Sequence, residues 1–303
     1  SLLLRLGMRL SKVNPSEAQA WVNKAVAGGV MDDLSDSAFV PHTAGPSGIN
    51  NNGIGDVFAA DGNQHLSRTF VEWLRERGDP RLNIFSSVPA GTDPLGLPNG
   101  YDATTILGDP VSNGWVELDP DGNVDFTKIS DVNPALVTQA SPMMFQSYAE
   151  VSLLMAEAAV RGWGATDAAT HYANGVRAAM KQWGAFYDPS TDISDADIDA
   201  YLAANPFDEA NALQQIGEHY WAATFLNEYE AYANWRRTGF PNLVPVQYEA
   251  ALPITGGNIP RRLVYPQSEA GVNADNFNAA LSNQGLPSDF ALMLNFPVWW
   301  DKQ

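Results

Sequence analysis

The stretch SPMMFQSYAEVSLLMAEAAVRGWG, residues 141–164, decides the fold. Four apolar side chains in it step by three, four and three residues, the spacing of one helix face: Tyr148, Val151, Met155 and Ala158. Glu157 and Arg161 lie on another face at the i,i+4 spacing of an ion pair. The pattern predicts a helix over 142–162 with a buried stripe, ended by Gly162.

The neighbouring segments predict helical hairpins. A second helix, over 166–183, follows after a short turn and carries its own apolar stripe. The chain opens with another pair, over 1–11 and 15–28, in which Asn14 is the predicted N-cap. Each pair spans about 34 residues, the length of a tetratricopeptide unit, but the two pairs are not adjacent. The predicted fold class is therefore mostly α, with tetratricopeptide-like hairpins rather than a tandem array.

A longer helix is predicted over 211–237, because two apolar stripes follow its length. A helix that is apolar on two sides packs on both, so we expect it at the centre of the fold. On this ground we assign Trp221, Tyr229 and Tyr232 to the core. The apolar stripe of the first hairpin assigns Trp21 to the core as well. The remainder of the chain is loop-rich, with one short helix expected near 274–283.

The region between the two hairpins, residues 30–143, has a different character. Gly, Pro, Asn and Asp recur every few residues, and one helix is predicted, over 63–78. Residues 86–134 are predicted as mostly irregular, with a short hairpin around 115–125. A long insertion of this kind in a compact protein usually carries function. We predict one domain over 1–303, with the ligand surface on the 30–143 insertion.

Composition and charge exclude several classes of protein. With 45% hydrophobic and 17% charged residues, the 303-residue chain has globular composition. Its 17 Lys and Arg against 35 Asp and Glu give a net charge of −18, which disfavours nucleic acids and anionic membrane surfaces. The sequence has no cysteine, hence no disulfide or thiolate site. Because a helical pattern begins at once, we expect that the natural protein has a further N-terminal part.

Motifs of the common catalytic and cofactor sites are missing from the sequence. The four histidines have no metal-ligand spacing, and there is no nucleophile elbow, dinucleotide fingerprint or P-loop. This favours binding over catalysis. Glu150 and Glu157 lie about 10 Å apart along one helix at 1.5 Å per residue. That exceeds the roughly 5–9.5 Å of glycosidase carboxylate pairs, so we interpret both as ion-pairing residues.

One loop resembles a calcium site, because oxygen-bearing side chains occur at alternate positions: Asp119, Asp121, Asn123 and Asp125. Val124 and Ser130 stand where an EF-hand needs Gly and Glu. Two interpretations stay open, a calcium site or an Asp-Gly-Asn turn that joins two short strands. Apart from calcium at this loop, no cofactor is expected.

Arginines and aromatic rings are the remaining candidates for ligand contacts. Two arginine pairs meet the core and are interpreted as structural, since Arg satisfies carboxylates and loop carbonyls: Arg236-Arg237 and Arg261-Arg262. Sugar rings lie on Trp or Tyr faces while amides and carboxylates bind their hydroxyls. Trp115 and Tyr101 lie in polar, glycine-rich sequence that explains them poorly as core, so we predict that they form a stacking platform. Trp73 is a third candidate, although its amphipathic helix favours packing.

Five segments, in this order along the chain, carry a family resemblance: LGMRLSKVNP at 6–15, the 141–158 stretch, NWRRTGFP at 234–241, IPRRLVYP at 259–266 followed by Glu269 and Asn273, and VWWD at 298–301. Together they resemble the SusD/RagB-like outer-membrane nutrient-binding lipoproteins of Bacteroidetes. The resemblance implies a SusD-like helical fold with long loop-rich insertions, and a non-catalytic role in binding a glycan or another nutrient.

The resemblance also implies a location and a partner. Family members are held at the outer membrane by a lipidated N-terminal cysteine, face the cell exterior and deliver nutrients to a TonB-dependent, SusC-like transporter. The sequence has no cysteine, so the anchor is inferred from the resemblance alone. Two alternatives stay open. One is a tetratricopeptide scaffold for a protein partner, which the interrupted repeats disfavour. The other is an all-helical glycoside hydrolase that uses loop carboxylates such as Asp102, Asp109, Asp119 and Asp125.

Overall fold

The computed structural model describes residues 1–45, 48–62, 64–246 and 252–302. Helices dominate it, which confirms the mostly α fold class. They are α1 (Leu2–Arg9), α2 (Pro15–Gly28), α3 (Gly53–Ala60), α4 (Arg68–Glu76), α5 (Arg81–Phe85), α6 (Asp109–Ser112), α7 (Tyr148–Val160), α8 (Ala168–Gln182), α9 (Asp195–Ala204), α10 (Ala212–Ala223), α11 (Glu228–Thr238), α12 (Leu252–Thr255), α13 (Glu269–Val272), α14 (Ala274–Gln284) and α15 (Phe290–Met293).

Among the described residues there are also four short strands: β1 (Ala38–Val40), β2 (Ser86–Ser87), β3 (Asp131–Val132) and β4 (Met143–Gln146). They form two antiparallel pairs, β1 with β4 and β2 with β3. Within the described ranges, no helix combines the length and the apolar character needed to cross a membrane.

The two predicted helical hairpins are present and share one core with α10. In the first, Asn14 caps α2 by accepting a hydrogen bond from the Glu17 amide at 3.2 Å, which confirms the N-cap. In the second, α8 approaches α7 closely at Gly175, where a Cβ would lie 2.7 Å from Cγ of Leu153. Glycine is therefore required at the centre of that arm. The helix predicted over 142–162 begins later, because its first residues form β4 and Ser147 caps α7.

The single helix predicted over 211–237 is wrong. The chain turns after α10, where Leu226 adopts a left-handed conformation with φ of 64° before α11 begins. The apolar stripe is rotated at this break, so Tyr229 is 78% exposed. Tyr232, beyond the same break, is half-buried, because a continuous helical period does not pass through a left-handed residue. Trp21 of the first hairpin is also half-buried, and its indole donates to Glu17 at 2.6 Å. Trp221, before the break, is half-buried against a second apolar cluster. The core assignment is therefore wrong for Tyr229 and only partly met for the other three rings.

Two glutamates of α7 hold the helices together through buried ion pairs. Glu157 accepts two hydrogen bonds of 2.7 Å from Arg237 of α11, and Arg161 adds a contact of 2.8 Å. Seven residues earlier, Glu150 accepts two of 2.5 Å from Arg5 of α1. Their interpretation as ion-pairing residues is confirmed, but the pairs are buried rather than spread on a solvated helix face.

The predicted structural role of the arginine pairs is also confirmed. Beside Arg237, Arg236 donates to the carbonyl oxygen of Arg261 at 3.0 Å. Arg261 in turn binds the buried carboxylate of Asp301, and Arg262 donates to Gln284 at 3.2 Å. These contacts tie the loop-rich C-terminal region to α11.

The 30–143 insertion contains α3 to α6 and a small apolar cluster of its own, made of Ile106, Val116, Val124 and Ile129. The helix predicted over 63–78 is shorter, since Ser67 caps α4 by accepting from the Phe70 amide at 3.3 Å. The hairpin predicted around 115–125 is reduced to one bridge between Leu118 and Val124. That this insertion carries the ligand surface stays a prediction.

We predict that Arg237→Ala destabilises the protein by about 3–5 kcal/mol, because it leaves Glu157 buried without its main partner. The matched control is Arg161→Ala, which removes a partly exposed partner of the same carboxylate and is expected to cost about 1 kcal/mol or less. Urea unfolding of the three proteins measures both values. Equal losses for the two variants would contradict the assignment of the buried pair.

A pH dependence follows from the same pair. Burial alone would raise the pKa of Glu157, but the charges and hydrogen bonds of Arg237 and Arg161 outweigh it and lower the pKa from 4.5 to about 2. The ionised carboxylate therefore stabilises the fold above pH 4.5, and this contribution disappears as the pH falls towards 2. We expect Glu157→Gln to lose about 3 kcal/mol near neutrality and far less near pH 2, in urea unfolding across pH. If the difference in unfolding free energy between wild type and Glu157→Gln stays constant with pH, the ionisation of Glu157 does not contribute to stability in this way.

Candidate functional site

The two rings predicted to form a stacking platform are brought together by the fold. The ring centroids of Tyr101 and Trp115 lie 6.5 Å apart at an angle of 68°, an edge-to-face contact. Both side chains are half-buried, and Tyr101 packs against the small apolar cluster of the insertion. The Trp115 amide donates to the carbonyl oxygen of Pro110 at 2.8 Å, which fixes the backbone that carries the ring. Tyr101 and Trp115, which we call the loop platform, are thus held in place by packing and by the backbone.

Arg68 covers one face of Trp115, with its Cζ atom 3.9 Å from the ring centroid. Its Nε atom also lies 2.7 Å from Oε1 of Glu72, one turn further along α4. Stacking of this kind leaves the guanidinium hydrogens directed outward around the ring edge. The platform therefore combines an apolar surface with donors and a carboxylate, the groups that a sugar ring needs.

A second aromatic surface lines a cavity of about 470 Å³ between α4, α10 and α11. We refer to it as the aromatic groove, and its rings are Phe58, Phe70, Trp221, Phe225, Tyr232 and Trp235. Tyr232 and Trp235 are nearly parallel, with centroids 6.3 Å apart at 12°. Polar groups line the same cavity: Gln64, His65, Ser67, Thr224 and Glu228. Its size and mixed lining fall within the range of small-molecule sites, about 300–1,000 Å³.

Tyr232 is fixed within the groove as a hydrogen-bond donor. Its hydroxyl donates to the carbonyl oxygen of Pro260 at 2.7 Å. Burial raises the pKa of Tyr232, and this outweighs the lowering effect of Arg236 and Arg261. The ring therefore stays neutral at physiological pH, and Arg236 stacks on it at 4.0 Å.

The loop platform and the aromatic groove meet at two places. Ser67 lines the groove, and the next residue, Arg68, stacks on Trp115. On the other side Leu243 lines the groove, and Val246 lies so close to Gly100 that a Cβ there would be 2.7 Å away. The two features therefore adjoin each other, and we call them together the aromatic surface.

The sequence predicts the loop platform, whose role in binding stays a prediction, but it does not predict the groove. Four of its rings belong to the 211–237 segment, where an apolar stripe is typical of core. The local break at Leu226 exposes part of that stripe, and no residue there is a helix breaker such as Gly or Pro. The pattern alone therefore gave no sign of the groove.

Trp73, the third predicted ligand contact, lies in the core with 7% of its surface exposed. Its indole donates to Glu218 at 3.1 Å, and Arg77 stacks over its ring at 4.6 Å. Trp73 therefore packs in the core, as its position on an amphipathic helix favours, because such a helix turns its large rings inward. It is not part of the aromatic surface.

The loop from Asp119 to Asp125 adopts the turn alternative. Oδ1 of Asp119 accepts hydrogen bonds of 2.9 Å from the amides of Asp121 and Asn123. Oδ1 of Asp125 is likewise bonded to Thr127. In the part of the chain that the structure describes, no three His, Asp or Glu residues lie close enough to hold a metal ion. Calcium binding at this loop stays a prediction that these bonds do not favour.

The loop carboxylates suggested for hydrolysis serve their own turns in the same way. Asp102 accepts from the amides of Thr104 and Thr105 at 2.9 and 2.8 Å. Asp109 stands at the start of α6. Asp102, Asp119 and Asp125 thus accept hydrogen bonds from their own turns, and the structure does not single out an opposed carboxylate pair among the four.

Comparison of the chain with known proteins finds one matching family. Residues 1–266 match the SusD-like family described as "Starch-binding associating with outer membrane". A solved "chitin-binding protein" is 31% identical with a TM-score of 0.78, over 100% of this chain and 63% of that one. A "Bacteroidetes AC2a SusD-like" structure is 26% identical with a TM-score of 0.78, over 100% and 68%.

A chitin-binding SusD homologue from Flavobacterium johnsoniae is 25% identical with a TM-score of 0.71, over 99% of this chain and 62% of its own. The chain therefore spans 62% to 68% of the length of these three structures. The search of curated proteins found no match.

We predict that calcium does not stabilise the protein, because one carboxylate oxygen of Asp119 and one of Asp125 already accept hydrogen bonds within their turns. Thermal unfolding in calcium and in a chelator should give the same midpoint. If calcium raises the midpoint of the wild type but not that of the double variant Asp121→Ala/Asp125→Ala, the prediction is wrong and the loop binds calcium.

Proposed function

The chain belongs to the SusD-like family, and from that premise we propose that it binds a neutral glycan without turnover and presents it to an outer-membrane transporter. The family's own description joins glycan binding to the outer membrane. The observation that carries the proposal is the contact between Tyr101 and Trp115, 14 residues apart in a polar loop that adjoins the aromatic groove.

The chemistry of the aromatic surface suits a sugar chain. Successive rings offer faces for pyranose C–H groups, and Arg68, Glu72 and Glu228 lie where hydroxyls need partners. A net charge of −18 repels polyanions, so a neutral glycan is favoured. Since two of the similar structures are described as chitin-binding, we propose chitin oligosaccharides as the first ligands to test.

Binding without hydrolysis is favoured over the glycoside hydrolase alternative. Hydrolysis needs two carboxyl groups that face each other across the scissile bond, about 5–9.5 Å apart. Three of the four candidate loop aspartates instead accept hydrogen bonds from their own turns: Asp102, Asp119 and Asp125. The buried glutamates of α7 are held by arginines within the core. No specific observation therefore supports a reaction.

A protein-interaction scaffold is also less well supported. Such scaffolds stack their repeats into an open, polar concave surface. Here both helical hairpins are packed into one apolar core with α10.

The partner in this proposal is a TonB-dependent, SusC-like transporter, with the protein lipid-anchored at the outside of the outer membrane. This part of the proposal rests on family membership, because association with the outer membrane belongs to the family's description. Delivery would need the glycan to dissociate readily, which a shallow, half-exposed aromatic platform allows.

We predict that Trp115→Ala lowers the affinity for a bound polysaccharide by about tenfold or more, the size of effect of a central aromatic contact. Tyr101→Ala should weaken binding less, because it removes the ring that packs against Trp115 but leaves the Trp115 ring itself. Native affinity electrophoresis against soluble glycol-chitin, starch and xyloglucan measures the change. The control is Trp21→Phe, another half-buried tryptophan that lies on α2 and outside the aromatic surface.

The same incubations are assayed for new reducing ends. Retardation without new ends is the expected outcome, and release of reducing ends would contradict the non-catalytic role. Equal binding by wild type and Trp115→Ala would remove the loop platform from the site.

A further inference from the structure

Trp299 is the only exposed one of the nine tryptophans, all of which lie in the described part of the chain. Its side chain is 69% exposed. It stacks on no aromatic ring or guanidinium among the described residues. A tryptophan ring can bury about 150–250 Å², so a ring left uncovered is a large unused apolar surface.

The residues that follow Trp299 are firmly held, which fixes the backbone on which its ring stands. Two guanidinium groups stack on the Trp300 ring, with the Cζ atoms of Arg9 and Arg236 at 5.2 and 4.7 Å from its centroid. Asp301 is buried and paired with Arg261, and its amide donates to the carbonyl oxygen of Val298 at 2.9 Å. Little conformational freedom is left for a ligand to remove at this segment.

Trp299 borders a cavity of about 690 Å³ whose other walls are rich in amides. Three polar side chains there make no hydrogen bond or ion pair with the described residues: Asn283, Asn295 and Lys302. The side-chain oxygen of Asn295 is buried and receives no donor. A buried acceptor without a donor is destabilising, and a donor on a ligand would remove that cost.

Other polar residues of the cavity are fully used by the protein and form a rigid wall. Gln284 donates to the Tyr265 hydroxyl at 2.7 Å and accepts from Arg262 at 3.2 Å. The Asp301 carboxylate is taken by Arg261. The cavity therefore offers free amides and an ammonium group, while its carboxylate is neutralised.

We propose that this cavity, the Trp299 site, is a second binding site for a neutral sugar ring. A flat exposed indole beside unpaired amides matches the C–H face and the hydroxyls of a pyranose. The site is separate from the aromatic surface, because the two cavities have no lining residue in common. Arg261 stands between them, lining this cavity while it stacks on Trp235 of the groove at 4.8 Å. The inference rests on the proposed function for the choice of glycans only.

The test is an NMR titration that observes the nine indole N–H resonances of the whole chain. The resonances of Trp299, Trp115 and Trp21 are assigned by single Trp→Phe variants. The probes are the hexamers of β-1,4-N-acetylglucosamine, α-1,4-glucose and β-1,4-glucose. We expect a saturable shift of the Trp299 resonance with at least one hexamer, while that of Trp21 stays in place. Asn283→Ala should raise the Kd read at Trp299 about fivefold and leave the Kd read at Trp115 unchanged.

The outcomes separate the two claims. Movement of Trp115 with Trp299 fixed for all three hexamers would overturn the second site and leave the proposed function intact. Movement of Trp299 with Trp115 fixed would support the second site and remove the loop platform. If neither resonance moves with any hexamer, both claims fail. A shift at Trp299 whose Kd is unaffected by Asn283→Ala, Asn295→Ala and Lys302→Ala would overturn the role of the amides and hence the site.

Discussion

Two buried carboxylates on α7 are the constraint on which the rest of the structure depends. Glu157 binds α11 through Arg237, and Glu150 binds α1 through Arg5, so one central helix fixes elements more than 200 residues apart. A buried charge that loses its partner is strongly destabilising, which makes these pairs selective for one arrangement of the helices. Apolar burial alone, which is non-directional, would not specify it.

The placement of α11 decides the ligand surface. Arg237 faces the core, while Tyr232 and Trp235 on the same helix line the aromatic groove. The left-handed Leu226 lets α10 stay buried while α11 turns its rings outward. A left-handed conformation at a branched residue carries a cost of about 1–2 kcal/mol, and such strain is most often retained beside functional surfaces. The short connection between α10 and α11 therefore affects both the packing of the core and the exposure of the groove's rings.

The fold is predictable from the sequence where the signals are local. Helical periodicity and the Asn14 cap correctly give both hairpins, and the polar sequence around Tyr101 and Trp115 marks two rings that the fold leaves half-buried and in contact. Prediction fails where tertiary structure decides. Nothing local distinguishes Trp235 in a groove from Trp73 in the core, since both lie on helices with apolar faces. The exposure of Trp299 depends on the pairing of its neighbour Trp300 with arginines 64 and 291 residues away.

If the aromatic surface holds an intact sugar chain, a crystal structure of the protein after prolonged soaking in a chitin oligosaccharide should show where. We expect a pyranose ring stacked on Trp115, with every glycosidic bond unbroken and the sugar chain directed along the aromatic groove. A shortened oligosaccharide, or a ligand bound only at sites remote from Trp115 and the groove, would contradict it.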